Sequence, residues 1–242
     1  MNEVIIVDKY LRNSIIEMLE MPRSFKGPFS QKDLLCLETL TINDKNIESI
    51  SGLEYATNLK SLNLSNNNII DITPISTLKN LRILNISHNY ITNLESLSGL
   101  SNLTYLNVSD NQIMNIDSLN SLGELIYLNI SNNQICNLSN LSELSKLIKC
   151  DAINQSIGIF TQKIIENGGF TISLDLLKDR YGSSPNINYI SDNGHYDIVD
   201  NSVTWLNLVK SKEYNFKFKT SEGFSGNIFV KIDIVKGNRV IS

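Results

Sequence analysis

The chain has 242 residues, of which 41% are hydrophobic and 19% are charged, and its formal net charge is −4. This composition is typical of a globular protein with one or two domains. The acidic excess lies within residues 37–146, which carry ten Asp or Glu and five Lys or Arg. A surface with that balance repels phosphate, so we exclude nucleic-acid binding. No apolar run reaches the roughly 18–20 residues that a membrane-spanning helix needs, so the sequence predicts no membrane insertion.

The N-terminal segment predicts two helices. Asp8 is a suitable N-cap for an amphipathic helix over residues 8–20, in which apolar residues recur on one face. Ser30 and Asp33 have the spacing of a capping box, so a second, short helix is expected to begin at Ser30. A stack of repeats leaves its first apolar layer open to water. Residues 1–36 are therefore expected to form a helical cap over that layer.

A unit of 22 residues occurs five times in succession over residues 37–146, and its pattern L-x-x-L-x-L/I/V-x-x-N-x-I is that of a leucine-rich repeat. Five copies without an insertion predict a stacked solenoid, assigned to residues 37–157 with a partial sixth repeat. Positions 3 to 7 of each unit alternate outward and inward. This predicts one strand per unit in a parallel sheet, closed by a sixth strand over 149–153. The spacing of the remaining apolar residues favours loops and short 3₁₀ turns on the convex side. The units start at Leu37, Leu59, Leu81, Leu103 and Leu125.

Position 9 of the unit is an asparagine in four of the five copies. It stands where the chain leaves the strand and turns toward the core. An amide there can donate to and accept from the backbones of adjacent coils. We interpret this Asn ladder as structural rather than as a binding site. Its members are Asn67, Asn89, Asn111 and Asn133.

Residues 158–242 leave the 22-residue pattern and predict short strands separated by turn signals. Six such strands predict a small antiparallel β-sandwich of immunoglobulin-like size, with Trp205 in its core. The predicted strands are 170–174, 187–190, 196–199, 203–206, 214–218 and 228–234.

The outward positions of the repeat strands define one surface, which we call the concave face. Adjacent strands lie about 4.8 Å apart, so the side chains at position 3 form a contiguous apolar and aromatic patch. Such a patch is typical of an interface hot spot, whereas simple stacking of tyrosines would leave the face inert. The amides at position 5 have two equal interpretations, ligand contact and stabilising hydrogen bonds along the sheet. The residues predicted to contact a partner are Ile83, Tyr105, Tyr127, Tyr90, His88, Asp110, Asn85, Asn107 and Asn129.

Sequence patterns for catalysis or cofactor binding are not found. The two histidines, His88 and His195, lie in different predicted domains, and neither has a metal-ligand spacing with a cysteine or carboxylate. No glycine loop has a phosphate-binding pattern, and no serine has the context of a nucleophile elbow. Three cysteines without a pairing pattern predict free thiols. We therefore expect no enzyme, no metal and no cofactor.

The chain resembles the internalin family of bacterial leucine-rich-repeat proteins over essentially its whole length. The stretch GLEYATNLKSLNLSNNNI and the 22-residue unit resemble the family's first repeats. The resemblance implies a solenoid that binds a protein ligand, often a host-cell receptor, on its concave face. It also implies an immunoglobulin-like module that rigidifies the end of the solenoid. The stretches that resemble this module are residues 152–155, 193–196, 204–205, 214–216 and 224–226.

Two functions fit these features. The first is an internalin-type adhesin or virulence factor, secreted or exposed on the cell surface, that binds a host protein. The second is a scaffold or inhibitor that binds a partner protein inside the producing bacterium. The first is favoured by the whole-chain resemblance. The second is favoured by the expected free thiols and by the first residues, which do not read as a signal peptide or anchor. In both cases we expect a monomer with a protein ligand, although similar side chains also recognise glycans.

Overall fold

The computed structural model describes residues 3–236 of the chain. The predicted cap and the predicted β-module each extend beyond these residues, at 1–2 and at 237–242. The contacts within the chain separate two compact units. Unit 1 comprises Met1–Asn133 and Asn140–Asp151, and unit 2 comprises Gln134–Ser139 and Ala152–Ser242.

Unit 1 begins with a helical segment. Its elements are β1 (Glu3–Val4), α1 (Lys9–Met18), β2 (Phe29–Ser30) and α2 (Gln31–Leu35), and β1 pairs antiparallel with β2. Both helices start where the capping residues predict: Asp8 caps α1, and Ser30 and Asp33 form a reciprocal capping box at α2. Leu11 and Ile15 of α1 are fully buried. The helix therefore contributes its apolar face to the core of unit 1.

Asp8 also joins this segment to the first repeat. Its Oδ1 accepts hydrogen bonds from the N–H groups of Tyr10 and Leu11 at the start of α1, over 2.9 and 3.0 Å. Its Oδ2 accepts from the N–H groups of Glu48 and Ser49, over 3.0 and 3.4 Å. One carboxylate thus satisfies backbone donors that are forty residues apart in the sequence. Sequence reasoning finds the cap but not the second contact.

The repeats form one parallel sheet of six strands, one strand per coil. Each strand is three residues long, and each residue pairs with the residue 22 positions later. A short 3₁₀ turn follows in five coils. The predicted solenoid with its parallel sheet and 3₁₀ turns is therefore confirmed, but the strands occupy positions 3–5 rather than 3–7. They are β3 (Thr39–Thr41), β4 (Ser61–Asn63), β5 (Ile83–Asn85), β6 (Tyr105–Asn107), β7 (Tyr127–Asn129) and β8 (Lys149–Asp151), in that order.

The strands are short because the chain turns sharply at position 8. The residue at this corner has a positive φ, between 53° and 59°, in every full repeat. Asn, Asp and His adopt this left-handed conformation at the lowest cost among residues with a side chain. Position 7, expected to face outward, lies within the turn, so Ser87, Ser109 and Ser131 are buried. The corner residues are Asp44, Asn66, His88, Asp110 and Asn132.

The asparagine at position 9 follows the corner and is buried. The Oδ1 atom of Asn111 accepts a hydrogen bond from the N–H of Ile91 in the preceding coil, over 2.9 Å. Its Nδ2 donates to the carbonyl oxygens of Ile86, Val108 and Ser109, over 3.0–3.1 Å. The amide therefore joins two coils and satisfies peptide groups that water does not reach. Equivalent bonds are made by Asn67, Asn89 and Asn133.

As far as residue 236, unit 2 contains two sheets built from seven strands. The strands are β9 (Gln155–Ile165), β10 (Gly168–Ser173), β11 (Asn186–Ile190), β12 (His195–Asp197), β13 (Ser202–Leu208), β14 (Lys212–Lys219) and β15 (Ser225–Val235). One sheet has the order β10-β13-β12 and the other the order β11-β14-β15-β9. Trp205 on β13 is buried between them, with its ring centroid 5.8 Å from that of Tyr214 and 6.4 Å from that of Phe216 on β14.

The structure contains all six strands predicted for this region and a seventh, β9, that was not predicted. Strand β9 pairs parallel with β15, so the expectation of a purely antiparallel sandwich is wrong for this pair. The predicted boundary between residues 157 and 158 falls inside β9. The start of β9 is difficult to recognise from the sequence, because it still follows the repeat pattern. Gln155 occupies position 9 of the repeat, and its Oε1 accepts a hydrogen bond from the N–H of Ile135 as a ladder asparagine would.

Replacing Asp8 by Ala should lower the free energy of unfolding by about 1–2 kcal/mol, because the α1 cap and both contacts to the first repeat are lost. Denaturant unfolding measures the change. Glu17→Ala, on the exposed side of the same helix, is the control and should stay within about 0.5 kcal/mol of the parent. Equal effects of the two substitutions would contradict the role assigned to Asp8.

Replacing Asn111 by Ala should cost about 1–3 kcal/mol, because several buried peptide groups lose their partner. The matched control is Asn102→Ala at position 22. That exposed amide donates a single hydrogen bond, to the carbonyl oxygen of Lys79 over 2.9 Å, so its loss should cost less than about 1.5 kcal/mol. Denaturant unfolding of the two variants compares them directly. A larger loss for Asn102→Ala would contradict the ladder's importance.

Candidate protein-binding face

Side chains at position 3 meet on neighbouring strands of the concave face. Tyr105 pairs in register with Ile83 on one side and with Tyr127 on the other. The two tyrosine rings are stacked, with centroids 4.7 Å apart and planes inclined by 12°. The strand spacing imposes this distance. Ile83 is 46% exposed and both tyrosines are partly exposed, so the row faces solvent.

The stack ends at Tyr127, which is fixed by the last coil. Its hydroxyl group donates a hydrogen bond to Asp151 Oδ2 over 2.9 Å. The Nζ of Lys149 lies 3.0 Å from Asp151 Oδ2 and 5.1 Å from the centroid of the Tyr127 ring. Burial and the hydrogen bond to a carboxylate raise the pKa of Tyr127 to about 12. The ring is therefore held in place and neutral at physiological pH.

The asparagines at position 5 use their side-chain oxygen within their own coil. The Oδ1 atoms of Asn85, Asn107 and Asn129 accept from the backbone N–H two residues later, over 3.0–3.1 Å. This arrangement is an Asx turn, and it ends each strand just before the corner. The Oδ1 atoms of these residues are therefore already engaged within the turn.

Three of the predicted contact residues lie beyond the strands. His88 and Asp110 are corner residues, and Nε2 of His88 is 3.4 Å from Asp110 Oδ2. Asp110 Oδ1 also accepts from Nδ2 of Asn132, over 2.9 Å. Tyr90 follows the corner and is 50% exposed, and within residues 3–236 its ring does not contact another aromatic ring. These residues form a rim beside the concave face, and Tyr90 is separate from the tyrosine stack.

Two exposed aliphatic residues near the end of the sheet were not identified from the sequence. Ile126 and Ile148, at position 2 of the last two coils, are 44% and 83% exposed. The sequence could have indicated them, because position 2 is charged in the first three coils and is aliphatic only in the last two. They precede Tyr127 and Lys149 directly in the sequence. We call Ile83, Tyr105 and Tyr127 the apolar patch.

Among residues 3–236, no helix combines the length and the apolar character needed to cross a membrane. In the same part of the chain, no three side chains of His, Cys, Asp or Glu are grouped closely enough to hold a metal ion.

Replacing Asp151 by Asn should lower the pKa of Tyr127 from about 12. The charge and its hydrogen bond are lost, whereas burial, the larger cause, remains. Because the folded-state pKa lies above the ordinary value of 10.0, the stability linked to this tyrosine is complete below pH 10 and is lost as the pH rises to about 12. An ultraviolet titration of phenolate formation, with Tyr127→Phe as the reference, measures the shift. An unchanged titration would contradict the influence of Asp151.

Family models and solved structures identify relatives of the chain. A model for two copies of the leucine-rich repeat matches residues 57–99, and a model for a single leucine-rich repeat matches residues 102–123. A search of curated protein sequences gave no match.

The solved structures similar to this chain include three internalins from Listeria monocytogenes. Internalin C2 (inlC2) is 32% identical, and the match covers 63% of this chain and 76% of that chain with a TM-score of 0.50. The internalin inlF is 26% identical, with coverage of 63% and 51% and a TM-score of 0.53, so this chain spans about half its length. InlP is 20% identical, with coverage of 82% and 67% and a TM-score of 0.56, which shows a similar fold alone.

Proteins with this leucine-rich-repeat fold generally mediate protein–protein interaction, and these relatives are binding modules rather than enzymes. The 22-residue coils form one parallel sheet with 3₁₀ turns. The chain matches an internalin at 32% identity over 76% of that protein's structure. Because its coils, its sheet and this degree of identity agree, the chain belongs to the internalin family of leucine-rich-repeat proteins.

Proposed function

We propose that the chain is a non-enzymatic recognition module that binds a partner protein on its concave face, through the apolar patch. The observation that carries this proposal is the stacked pair Tyr105 and Tyr127, partly exposed beside small polar side chains. Tyrosine is enriched among the residues that dominate interface energies. An apolar surface that remains solvent-facing on a stable scaffold is typical of an interaction site.

The rigidity of the patch supports its role as an anchor. Tyr127 is fixed by stacking on Tyr105 and by its hydrogen bond to Asp151. Both rings stand on strands of a regular sheet rather than on loops. A side chain that is already ordered loses little conformational entropy on binding, so more of the contact energy contributes to affinity.

The charges around the patch indicate the chemistry of the partner. Residues 37–146 carry ten acidic and five basic residues. Along the rim, Asp44 and Asp110 both occupy corner positions. We infer that the partner presents an apolar pocket for the tyrosines, with basic side chains beside it that meet this acidic rim.

The flanking segments have supporting roles in this proposal. Residues 1–36 act as a cap for the solenoid of residues 37–157. Support comes from Asp8, and from Gly52, where an added Cβ would lie 2.8 Å from Ile6 Cγ1 because the N-terminal segment lies so close to the first repeat. Residues 158–242 act as an immunoglobulin-like module, a role supported by their two sheets around Trp205.

Replacing both Tyr105 and Tyr127 by Ser should reduce partner capture at least about tenfold, because the anchoring rings are lost. The immobilised full-length chain is exposed in parallel to host-cell and bacterial lysates, and bound proteins are quantified. A partner retained from the host lysate favours an adhesin, whereas one from the bacterial lysate favours an intracellular scaffold.

The matched control is the double variant Ile70→Ser and Met114→Ser. These residues belong to the same unit, are 66% and 58% exposed, and lie at position 12 of their repeats, away from the strands. The control should retain the same partners as the parent chain. Retention by the tyrosine variant, or equal loss in the control, would overturn the assignment of the apolar patch.

A further inference from the structure

The four-stranded sheet of unit 2 carries a groove on its outer face. In β14, Tyr214, Phe216 and Phe218 are buried. Strand alternation therefore turns Lys217 and Lys219 outward. Lys217 pairs in register with Asn227 on β15, and Asn227 pairs with Ser156 on β9. The groove has a volume of about 440 Å³. That volume is within the range of roughly 300–1,000 Å³ found for small-molecule sites. Its lining also includes Asn154, Gln155, Asn188, Phe218, Ser225, Gly226 and Phe229.

The charge of the lining favours an anionic ligand. Among the described residues it contains two lysines and no acidic residue, although the whole chain has a net charge of −4. Neither Lys217 nor Lys219 takes part in an ion pair among residues 3–236. The Nζ of Lys217 instead lies 5.7 Å from the ring centroid of Tyr189, its neighbour on β11. Two cations without a counter-charge beside one groove are suited to bind a carboxylate.

The polar side chains of the lining favour a ligand with several hydroxyl groups. Amides and hydroxyls outnumber charges here. The exposed amides of Asn154 and Asn188 can both donate and accept, whereas the buried amide of Gln155 is bonded within the protein. The Oδ1 of Asn227 is buried and receives no hydrogen bond from the described residues. If this amide turned toward a ligand hydroxyl, its oxygen would gain the hydrogen bond that it lacks.

An aromatic ring at the groove has an open flank. Phe229 on β15 is partly exposed, and its partner across the strand pair is Gly158 on β9. A Cβ added at Gly158 would meet no atom within 4 Å. The absence of a side chain at this position leaves the phenylalanine accessible from that side. The apolar C–H face of a sugar ring can pack there, while its hydroxyls reach the amides.

We propose that this groove binds an acidic sugar, meaning a pyranose unit with a carboxylate, alone or at the end of a short oligosaccharide. The lysines meet the carboxylate, the asparagines and serines meet the hydroxyls, and Phe229 meets the ring face. The carboxylates of an acidic peptide could pair with the lysines. Such a peptide has few hydroxyl groups for the amides and no sugar ring to pack on the open side of Phe229. The site lies in unit 2 and is independent of the concave face.

Calorimetric titration of the full chain with four probes tests the site. Sialyllactose and trigalacturonate supply the carboxylate from two different glycan sources, lactose is the neutral sugar, and tetraglutamate is the acidic peptide. We expect binding of at least one acidic sugar, weaker at high salt because exposed charges are screened. Binding of lactose with equal affinity, tighter binding of tetraglutamate, or no binding of either acidic sugar would overturn the proposal.

Substitutions locate the binding. Lys217→Gln with Lys219→Gln should weaken the acidic sugar at least about tenfold, because its charged partners are lost. Gly158→Leu should do the same by covering Phe229, and the open space at this position lets the new side chain fit without a clash.

The controls use equivalent positions outside the groove. Lys231→Gln removes a lysine from the same sheet that does not line the groove, and Gly123→Leu adds a side chain at an open position of unit 1. Both should bind as the parent does. Loss of binding in the controls, or full binding by both groove variants, would overturn the assignment.

Discussion

Each coil of unit 1 must bend its backbone off the strand within three residues, and the peptide groups at this bend are buried. The buried amide at position 9 satisfies them: one oxygen accepts from the preceding coil, and one nitrogen donates to several carbonyl groups. Repetition of this amide fixes the spacing between coils. The parallel sheet, its 22-residue register and the alignment of outward side chains all depend on it.

The candidate binding face follows from this register. Because equivalent positions stand directly beside one another, two tyrosines that are 22 residues apart in sequence become a stacked pair. The last coil adds the carboxylate of Asp151, which fixes the second ring. Some of the interactions that order the patch are therefore internal to the protein. They hold the two rings in place, and both rings remain partly exposed.

The sequence was informative for most features that depend on local spacing and capping. The 22-residue period, both helix starts and six strands of unit 2 could be predicted from apolar spacing and capping residues. Prediction failed where a role depends on a distant segment. The second contact of Asp8 lies forty residues away, and β9 pairs with β15, some seventy residues later. The burial of Ser87 was also missed, because alternation was extended past the residue at which a left-handed corner ends the strand.

The left-handed corner limits which residues can be replaced when a module of this kind is adapted to a different ligand. At position 8 only a few residue types fit, since β-branched and bulky side chains strain a backbone with φ near 55°. One edge of the candidate binding surface is thus restricted to a few polar residue types, here Asn, Asp and His. Positions 2 and 3 vary much more widely in this chain, from Glu38 and Lys60 to Ile126 and Tyr127. Libraries of variants that aim at new specificities should vary positions 2 and 3 and leave position 8 unchanged.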